Sequence, residues 1–571
     1  HLRLPARAPI PRRTGRRGGL GIAVLTAVYA VAAFWNLGSA HDPQRFCSFE
    51  AGESAVLALE RETAVASVWY YPGLSTGEYT LAYSTDGVTF TPAGTMPQGY
   101  ADLFKWLQPE MTDAAPATVA YVRITASAHM ELGELALYDP QGDRIGVRAI
   151  TGPADADALC DEADTVPAAS TYYNSTYFDE IYHARTAYEH LRGVYPYEVS
   201  HPPLGKEILS LGIVLFGMTP FGWRCMGALF GVAMLPLMWD LLRRMFRDDR
   251  VALCGAALLA CDFMHLTQTR IATIDSFATL FILLMYLFLY RYFTEGKLRH
   301  LAACGVTFGI GAATKWTCLY AGAGLGVLWA LHWVFSGVRA HRAGDGRRYA
   351  RRLLGNIGFC LVFFVLVPGM IYYASYYPYG AARGLHGAGM YFTREYAAIV
   401  LENQRFMFTY HAGLVATHPY ASRWWQWLLD LRPILYYLSY GDGTVSTIGA
   451  FVNPLLCWGG LLALPVLAYR AWKRDRTALF LLVGYLAQVL PWVFISRLTF
   501  EYHYFAATLF LVLALGYVLD RLRRRGYLGI VYAFTAANGV LFALFYPVLT
   551  GVTIPRDYAW NVLKWLPDWP F

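Results

Sequence analysis

Long apolar runs that alternate with short basic runs are the feature that most constrains how this chain can fold. The basic runs include LLRRMFRDDR at 241–250, VRAHRAGDGRRYARR at 338–352 and RAWKRDR at 470–476. Only 15% of the residues are charged, against about 25% in soluble domains, and 56% are hydrophobic. Basic runs between apolar segments are typical of membrane topology signals. The sequence therefore predicts a polytopic α-helical membrane protein. Its predicted partner is the lipid bilayer, and no binding of nucleic acid is expected.

The short apolar run at 204–217 decides the predicted topology. At about 14 residues it is shorter than the roughly 20 that a spanning helix needs, so we interpret it as a surface-lying or re-entrant helix. Under this interpretation every basic run falls on the cytoplasmic side, whereas a crossing at 204–217 would invert all later loops. The sequence then predicts about 11 transmembrane helices, with the C-terminus outside the cytoplasm.

The predicted organisation follows from these spans. The segments are a cytoplasmic basic tail (1–18), the first transmembrane helix (19–38), an extracytoplasmic β-sandwich insert (41–167), an external loop with juxtamembrane helices and the candidate catalytic residues (168–222), transmembrane helices 2–7 (223–377), an external loop (378–448) and transmembrane helices 8–11 (449–571). Most ionisable residues near the membrane then gather at the outer face. Because such residues are costly there, we expect a reaction or binding site at that face.

Residues 41–167 have the pattern of a β-sheet domain. EYTLAYSTDGVTFTPAG at 78–94 predicts two strands around an Asp-Gly turn, and TVAYVRITAS and GELALYDPQGDRI predict further strands. The strand order is similar to that of discoidin-type jelly rolls, which often bind carbohydrate, so carbohydrate binding and a scaffolding or docking role both stay open. Cys47 and Cys160 bracket the segment, which suggests a disulfide between them in an oxidising exterior.

The acidic pair Asp179–Glu180 stands in the aromatic stretch YFDEIYHAR. Adjacent side chains on a helix point about 100° apart, so these two carboxylates cannot face one atom. An isolated acidic pair is usually a solvated turn or a helix N-cap. The cations that follow, among them His183, Arg185 and Lys206, favour instead a site that binds a lipid-borne phosphate and deprotonates an acceptor.

HPPLGK at 201–206 predicts a rigid corner beside this segment. Its two prolines fix φ and exclude a helix before Leu204, and Gly205 allows the backbone to approach a neighbour closely. Two of the nearby cations have simpler interpretations as well. Lys206 could extend to lipid headgroups, and Arg224 could anchor the membrane interface.

Taken together, these motifs resemble the protein O-mannosyltransferase family, in particular its bacterial branch. The motifs occur in the family's order: FDEIYHARTAYE at 178–189, HPPLGK at 201–206, FGWRCMGALFG at 221–231, QTRIATID at 268–275 and ATKWTCLY at 313–320. The stretches at 418–437, 453–460 and 491–505 are also similar to bacterial members. The likeness covers roughly 175–525, leaves out the β-sheet insert and implies the GT-C fold of polyprenyl-phosphate-sugar transferases.

The resemblance implies a role for each matching position. Asp179 would be the catalytic base that takes a proton from the acceptor hydroxyl, and Glu180 would orient the acceptor or hydrogen-bond the donor. The cations that would hold the phosphate of the lipid donor are Arg224, Lys315, Arg270, His201, Lys206 and Arg497. The substrate pocket would be lined by Asp275, Tyr182, His183, Tyr502, His503, Arg423 and Trp424.

The implied activity is an inverting transfer of a mannose-like monosaccharide from a polyprenyl-phosphate donor to a Ser or Thr hydroxyl of a protein. The implied place is the extracytoplasmic face of a bacterial plasma membrane. No cofactor and no metal is expected, because the phosphate leaves already charged and needs only cations. Three alternatives stay open: a lipid or cell-wall glycan acceptor for the same donor, a polyprenyl-lipid transporter or flippase, and a sugar-sensing receptor built on the β-sheet insert.

Overall fold

The computed structural model describes residues 16–112 and 118–571. This part of the chain divides into two compact units. The β-rich unit consists of Asn36–Tyr188 and Ser210–Arg224, and the helical unit consists of the chain up to Trp35, Glu189–Leu209 and Cys225–Phe571. The cytoplasmic tail predicted at 1–18 lies almost wholly outside the described residues.

Two antiparallel sheets form most of the β-rich unit. Their strands are β1 (Cys47–Phe49), β2 (Ser54–Thr63), β3 (Ser67–Pro72), β4 (Gly77–Ser84), β5 (Thr91–Gln98), β6 (Glu110–Met111), β7 (Val119–Ala126), β8 (Met130–Tyr138) and β9 (Val147–Thr151). One sheet has the order β1-β8-β3, and the other has the order β6-β5-β4-β7-β2-β9. Buried apolar residues from both sheets form one core, as alternating inward side chains require.

The hairpin of β4 and β5 shows how local sequence sets the sheet. Asp86 and Gly87 form its turn, and Gly87 has a φ of +74°, which glycine adopts without strain. The Asp86 carboxylate accepts hydrogen bonds from the N–H groups of Val88 and Thr89, both at 2.8 Å. The Asp-Gly turn that the sequence predicts between two strands is therefore confirmed.

The predicted disulfide between Cys47 and Cys160 is not formed, since both residues are free thiols. Cys47 pairs with Leu132 on β8, whereas the Cys160 thiol donates to the carbonyl of Leu135, three residues further along the same strand. Burial raises the pKa of both thiols to about 12, so they stay protonated. Each cysteine is thus a small apolar side chain of the core and not half of a covalent link.

Among the described residues, most of the α-helices lie in the helical unit, and three of them begin or end in the β-rich unit. In chain order the helices are α1 (Arg16–Phe34), α2 (Glu180–Arg192), α3 (Leu204–Phe216), α4 (Pro220–Phe246), α5 (Asp249–Ala260), α6 (Phe263–Arg270), α7 (Asp275–Glu295), α8 (Leu298–Thr314), α9 (Thr317–Arg342), α10 (Gly346–Leu361), α11 (Val367–Ala374), α12 (Tyr377–Ala382), α13 (Arg394–Gly413), α14 (Trp424–Trp427), α15 (Pro454–Trp472), α16 (Arg476–Val493), α17 (Phe505–Arg524), α18 (Leu528–Thr550) and α19 (Arg556–Tyr558). A small antiparallel sheet has the order β10-β11-β12, with strands Ile434–Tyr440, Thr444–Ala450 and Ile554–Pro555.

Within residues 16–112 and 118–571, eight helices are long and apolar enough to cross a membrane, or up to nine if the bent pair α5–α6 is one span. Two other predicted spans coincide with α1, in which the apolar part Gly18–Phe34 is shorter than the spans counted above, and with α8, which has 17 residues. The prediction of a polytopic helical membrane protein is confirmed, whereas its count of 11 spans is not. Helix α3 has 13 residues, which agrees with the interpretation of 204–217 as a segment that does not cross.

The bend of 55° between α5 and α6 has a local cause. The Asp262 carboxylate caps α6 by accepting the His265 N–H, and it also accepts the N–H of Asn453 at 3.3 Å. A buried carboxylate that is needed as a cap ends one helix and starts the next in a new direction. Arg270 lies at the end of α6, and Asp275 lies at the start of α7, five residues later.

Candidate functional site

The acidic pair lies at the start of α2 in the β-rich unit. Asp179 is the residue before the helix, and its backbone carbonyl accepts the N–H groups of Tyr182 and His183 at 3.0 and 3.1 Å. Asp179 is half-buried, whereas the side chain of Glu180 is fully buried. Phe178, just before the pair, has a φ of +48°, a left-handed conformation that costs a bulky residue about 1–2 kcal/mol. The two carboxylates therefore have different surroundings, as helical geometry predicts.

Glu180 is held by a buried arginine from the start of α4. Arg224 donates from Nε to Glu180 Oε1 at 2.8 Å and from a terminal nitrogen to Oε2 at 2.7 Å. Trp223 adds a third bond, from its indole N–H to Oε2 at 3.2 Å. Two parallel bonds from one guanidinium to one carboxylate are the strongest form of this ion pair.

The guanidinium of Arg224 is engaged on its other edge as well. It donates to the carbonyls of Leu37 and Ser175, at 3.0 and 2.9 Å. Arg224 is fully buried, and its guanidinium donates four hydrogen bonds to other groups of the protein. The geometry favours a role for Arg224 in positioning Glu180 over the phosphate-binding role expected from the sequence.

A loop of the sheet domain supports the acidic segment. Thr176 donates its N–H to the carbonyl of Phe104 at 3.1 Å and its hydroxyl to the carbonyl of Leu103 at 3.0 Å. The ring of Tyr182 stacks on Tyr100, with centroids 6.3 Å apart. Thr176 and the first turn of α2 are therefore both in contact with the connection between β5 and β6.

Asp42 is a buried acid in the same unit. Its carboxylate accepts the indole N–H of Trp106 at 3.3 Å, and its side chain is only 2% exposed. Burial raises the pKa of Asp42 to about 7, although the positive charge of Arg224 opposes the rise. The folded state therefore holds a proton on Asp42 over a range of pH in which the unfolded chain has lost it.

Substitution of Asp42 by Asn should change the pH dependence of stability. Between about pH 4 and pH 7 the folded state binds the extra proton, so the stability of the wild type falls as the pH rises through this window. Asn carries no charge at any pH. The Asp42→Asn variant should therefore unfold at a higher temperature than the wild type at pH 8, and the difference should shrink at pH 5. Thermal unfolding in detergent measures both values, with the exposed Asp143→Asn as the control; an equal difference at both pH values would contradict the assignment.

A second charged cluster lies in the helical unit around Lys315 and Asp275. The Lys315 ammonium donates to the Asp275 carboxylate at 2.7 Å and lies 5.8 Å from the ring centroid of Tyr502. Next to this pair is a cavity of about 370 Å³, whose walls include Asp275, Tyr502, His503 and Gln488. The structure thus brings together Asp275, Lys315, Tyr502 and His503, all of which the sequence identifies as site residues.

His201 belongs to the same cluster, since it is close enough to Lys315 and Lys206 for their charges to act on it. Burial lowers the pKa of His201, with Lys315 and Lys206 adding to the effect and Glu198 opposing it. The cluster therefore combines two ammonium groups with a neutral imidazole, residue types that can bind a phosphate.

Lys206 is fully buried and forms an ion pair with Glu198. It also donates to the carbonyl of His201 at 3.2 Å, which closes the HPPLGK corner on itself. The ring nitrogen Nδ1 of His201 contacts the same Glu198 carboxylate at 3.2 Å. These contacts favour a structural role for Lys206, because its ammonium already has its counter-charge inside the protein.

The other residues expected at the site lie as follows. Arg270 donates to the carbonyls of Ala33 and Trp35 at the end of α1, at 2.7 and 2.9 Å, and so stabilises the negative end of that helix. Arg423 is exposed and Trp424 half-buried at the start of α14. His183 is buried in the β-rich unit.

Some residues of these clusters were not expected from the sequence. Glu198 is the counter-ion of Lys206, and the Nε2 of His411 contacts the carbonyl of Ser200 at 2.8 Å. The hydroxyl of Tyr436 donates to the side chain of Gln268 at 2.6 Å. Only Glu198 had a sequence signal, since an acid three residues before His201 and eight before Lys206 can reach both; the other pairs join distant parts of the chain.

Two family models match the chain. The one described as dolichyl-phosphate-mannose-protein mannosyltransferase matches residues 200–339. The one described as the C-terminal four TMM region of protein-O-mannosyltransferase matches residues 397–569. The first range contains Asp275 and Lys315, and the second contains Arg497.

Curated relatives agree with these matches. The polyprenol-phosphate-mannose–protein mannosyltransferase of Mycobacterium tuberculosis (strain CDC 1551 / Oshkosh) is 31% identical over 431 residues, which cover 65% of this chain and 81% of the relative. The protein with the same name from Mycolicibacterium smegmatis (strain ATCC 700084 / mc(2)155) is 28% identical, over 65% of this chain and 82% of the relative.

A solved structure shares the fold. The protein O-mannosyltransferase complex of Saccharomyces cerevisiae bound to the sugar donor has a chain that superposes with a TM-score of 0.60. The superposition covers 69% of this chain and 89% of that chain at 15% identity. This likeness concerns the fold alone, and it extends across most of the yeast chain.

Proposed function

The chain belongs to the protein O-mannosyltransferase family, and we propose that it transfers mannose from a polyprenyl-phosphate donor to a Ser or Thr hydroxyl of a protein. The observation that carries the proposal is the 31% identity, over 81% of its length, to the polyprenol-phosphate-mannose–protein mannosyltransferase of M. tuberculosis. The two charged clusters supply the residue types that this chemistry needs, namely a carboxylate that accepts a proton and cations that bind a phosphate.

Asp179 is the proposed general base. A hydroxyl is a poor nucleophile, so a carboxylate must take its proton as the oxygen attacks the anomeric carbon of the sugar. Asp179 is half-buried, while Glu180 is wholly enclosed and paired with Arg224, so Asp179 is the carboxylate of the pair that an acceptor can reach. Attack opposite the leaving phosphate gives inversion at that carbon.

Glu180 and Arg224 are proposed to position Asp179. The backbone of Glu180 follows directly on Asp179, and the enclosed side chain pins the first turn of α2. A residue that is held on two sides restricts the rotation of its neighbour, which keeps a catalytic group in its productive geometry.

The cluster around Lys315 is proposed to bind the donor phosphate. As the bond to the sugar breaks, the phosphate carries the negative charge away, and Lys315 and Arg497 can stabilise that charge. Asp275 balances the charge of Lys315 at 2.7 Å, and a phosphate would compete for the same ammonium. Arg270 and Lys206 contribute indirectly, by holding the end of α1 and the HPPLGK corner.

The location of the reaction and the class of the sheet domain extend the proposal. We place the acidic pair and Lys315 on the extracytoplasmic side of a bacterial plasma membrane, because the positive-inside rule assigns the basic runs at 338–352 and 470–476 to the cytoplasm. The two sheets of the β-rich unit suit a jelly-roll-like domain. The contacts of Thr176 with Phe104 and Leu103 favour a scaffolding role for that domain over carbohydrate binding.

The test is transfer by the purified full-length protein in detergent. Given polyprenyl-phosphate mannose with a radiolabelled sugar and a peptide rich in Ser and Thr, it should label the peptide and release polyprenyl phosphate. A peptide with Ala at every Ser and Thr should stay unlabelled. Label in added glycan or lipid but not in the peptide would reassign the acceptor, and movement of intact donor across a vesicle without cleavage would indicate a flippase.

A further inference from the structure

A second cavity lies in the helical unit, away from the residues assigned above. It contains about 500 Å³ of empty space, part of which is open to the outside. It is enclosed by α7, α9 and the first residues of α16. The wall is mostly aromatic and aliphatic, with polar groups from His332, Arg476 and Thr477. The residues that line it are Tyr290, Phe293, Leu328, Leu331, His332, Phe335, Arg476, Thr477, Leu479 and Phe480.

Two guanidinium groups lie at or beside this cavity. Arg476 lines it, and Arg339 follows the lining residue Phe335 by four residues on α9, which places both side chains on the same face of that helix. Among the residues that the structure describes, neither arginine forms an ion pair with a carboxylate. The nearest acid along the chain, Asp475, caps α16 and binds Arg521 instead.

The two neighbouring guanidinium groups favour the binding of an anion. Two like charges held together cost free energy that a bound anion would recover, and a guanidinium suits phosphate oxygens in particular. Arg476 lies 5.7 Å from the ring centroid of Phe335, and an arginine that packs on a ring keeps its N–H donors free at its edge. His332 stacks on Phe293 at 4.7 Å and forms part of the apolar wall.

The surroundings of the cavity indicate a lipid as the source of that anion. All three helices that enclose it are long and apolar enough to cross a membrane. On α9 the side chains of Val334, Phe335 and Val338 are 56%, 41% and 50% exposed, a surface that suits acyl chains. The run at 338–352 next to it carries six arginines and one acid, a charge pattern typical of segments that attract anionic lipids.

We propose that this cavity binds an anionic phospholipid, with the phosphodiester at Arg339 and Arg476 and part of an acyl chain against Phe293, Leu331 and Phe335. The site is separate from the donor site proposed around Lys315. It would hold a lipid of the leaflet that faces the basic runs, and it would fill the space between the ends of α7, α9 and α16.

Binding can be measured on the full-length protein by native mass spectrometry with phosphatidylglycerol or phosphatidylcholine titrated into neutral detergent. The wild type should retain phosphatidylglycerol in preference. The Arg339→Gln/Arg476→Gln variant should bind it roughly 10- to 30-fold more weakly, as expected for the loss of two cations near a lipid phosphate. The matched control Arg347→Gln/Arg348→Gln removes the same charge from exposed positions of the basic run and should bind as the wild type does.

Two further experiments distinguish binding of a lipid in the cavity from binding of a soluble anion or binding that depends on overall charge. Leu331→Trp fills the cavity without changing charge and should weaken retention of phosphatidylglycerol, whereas unchanged retention would overturn the placement of the acyl chain. Inorganic phosphate at constant ionic strength should not displace the lipid; displacement would mean a site for soluble anions. Equal losses in the two double variants would overturn the proposal, since binding would then follow overall charge alone.

Discussion

Replacement of Asp179 by Asn is expected to lower the rate of mannose transfer by about 10²- to 10⁴-fold, the contribution typical of a positioned general base. Asn keeps the size of the side chain but cannot accept a proton at neutral pH. The start of α2 should persist, because Asp179 holds Tyr182 and His183 through its backbone carbonyl. Binding of the polyprenyl-phosphate donor, measured separately, should change little.

The exposed Asp143 provides the matched control for this experiment. Asp143→Asn makes the same chemical change in the same unit and should transfer mannose at the wild-type rate. Initial rates with a saturating donor, together with a thermal unfolding curve for each variant, separate loss of catalysis from loss of fold. Transfer by Asp179→Asn at the wild-type rate would show that another group takes the proton.

Replacement of Arg224 by Gln is expected to destabilise the fold by about 3–5 kcal/mol, because it leaves the Glu180 carboxylate buried without its counter-ion. Activity should fall even at temperatures at which the variant stays folded, since the start of α2 loses its anchor. Arg224→Lys should restore only part of the stability, because an ammonium cannot form the two parallel bonds that the guanidinium makes to Glu180.

Two control variants show whether the loss of stability in Arg224→Gln comes from its ion pair with Glu180. Arg383→Gln removes an arginine from an exposed ion pair with Glu402, and should cost no more than about 1 kcal/mol. Glu180→Gln/Arg224→Gln removes both charges and should be less destabilised than the sum of the single changes. If Arg224→Gln is as stable as Arg383→Gln but loses donor binding, Arg224 binds phosphate and does not position Glu180.

Features that depend on neighbouring residues or on the length of a segment could be predicted from the sequence. The Asp-Gly turn between β4 and β5 and the short length of α3 follow from neighbouring residues and from the length of the apolar run, so the sequence was enough to predict them. Asp179 is half-buried and Glu180 fully buried, a difference that agrees with the expectation that adjacent side chains at the start of a helix point in different directions. The count of spans was less secure, because α8, with 17 residues, lies at the lower limit of length for a crossing.

Contacts between distant residues could not be predicted in the same way. Arg224 lies 44 residues from Glu180, and no spacing rule marks it as a partner and not as a phosphate ligand. Cys47 and Cys160 bracket the sheet domain in sequence, but strand register and packing decide that each lies against a different residue of β8. The left-handed Phe178 was also hidden, since that conformation is usually signalled by glycine or asparagine.

The pair of Arg224 and Glu180 has a consequence for how the protein is made. Arg224 is the fifth residue of a helix that is apolar enough to span a membrane, and a charged residue in such a segment makes its insertion more costly. Its counter-charge is synthesised 44 residues earlier. The ion pair of Arg224 with Glu180 therefore forms only after the ribosome has synthesised the start of α4, so the acidic segment completes its folding late.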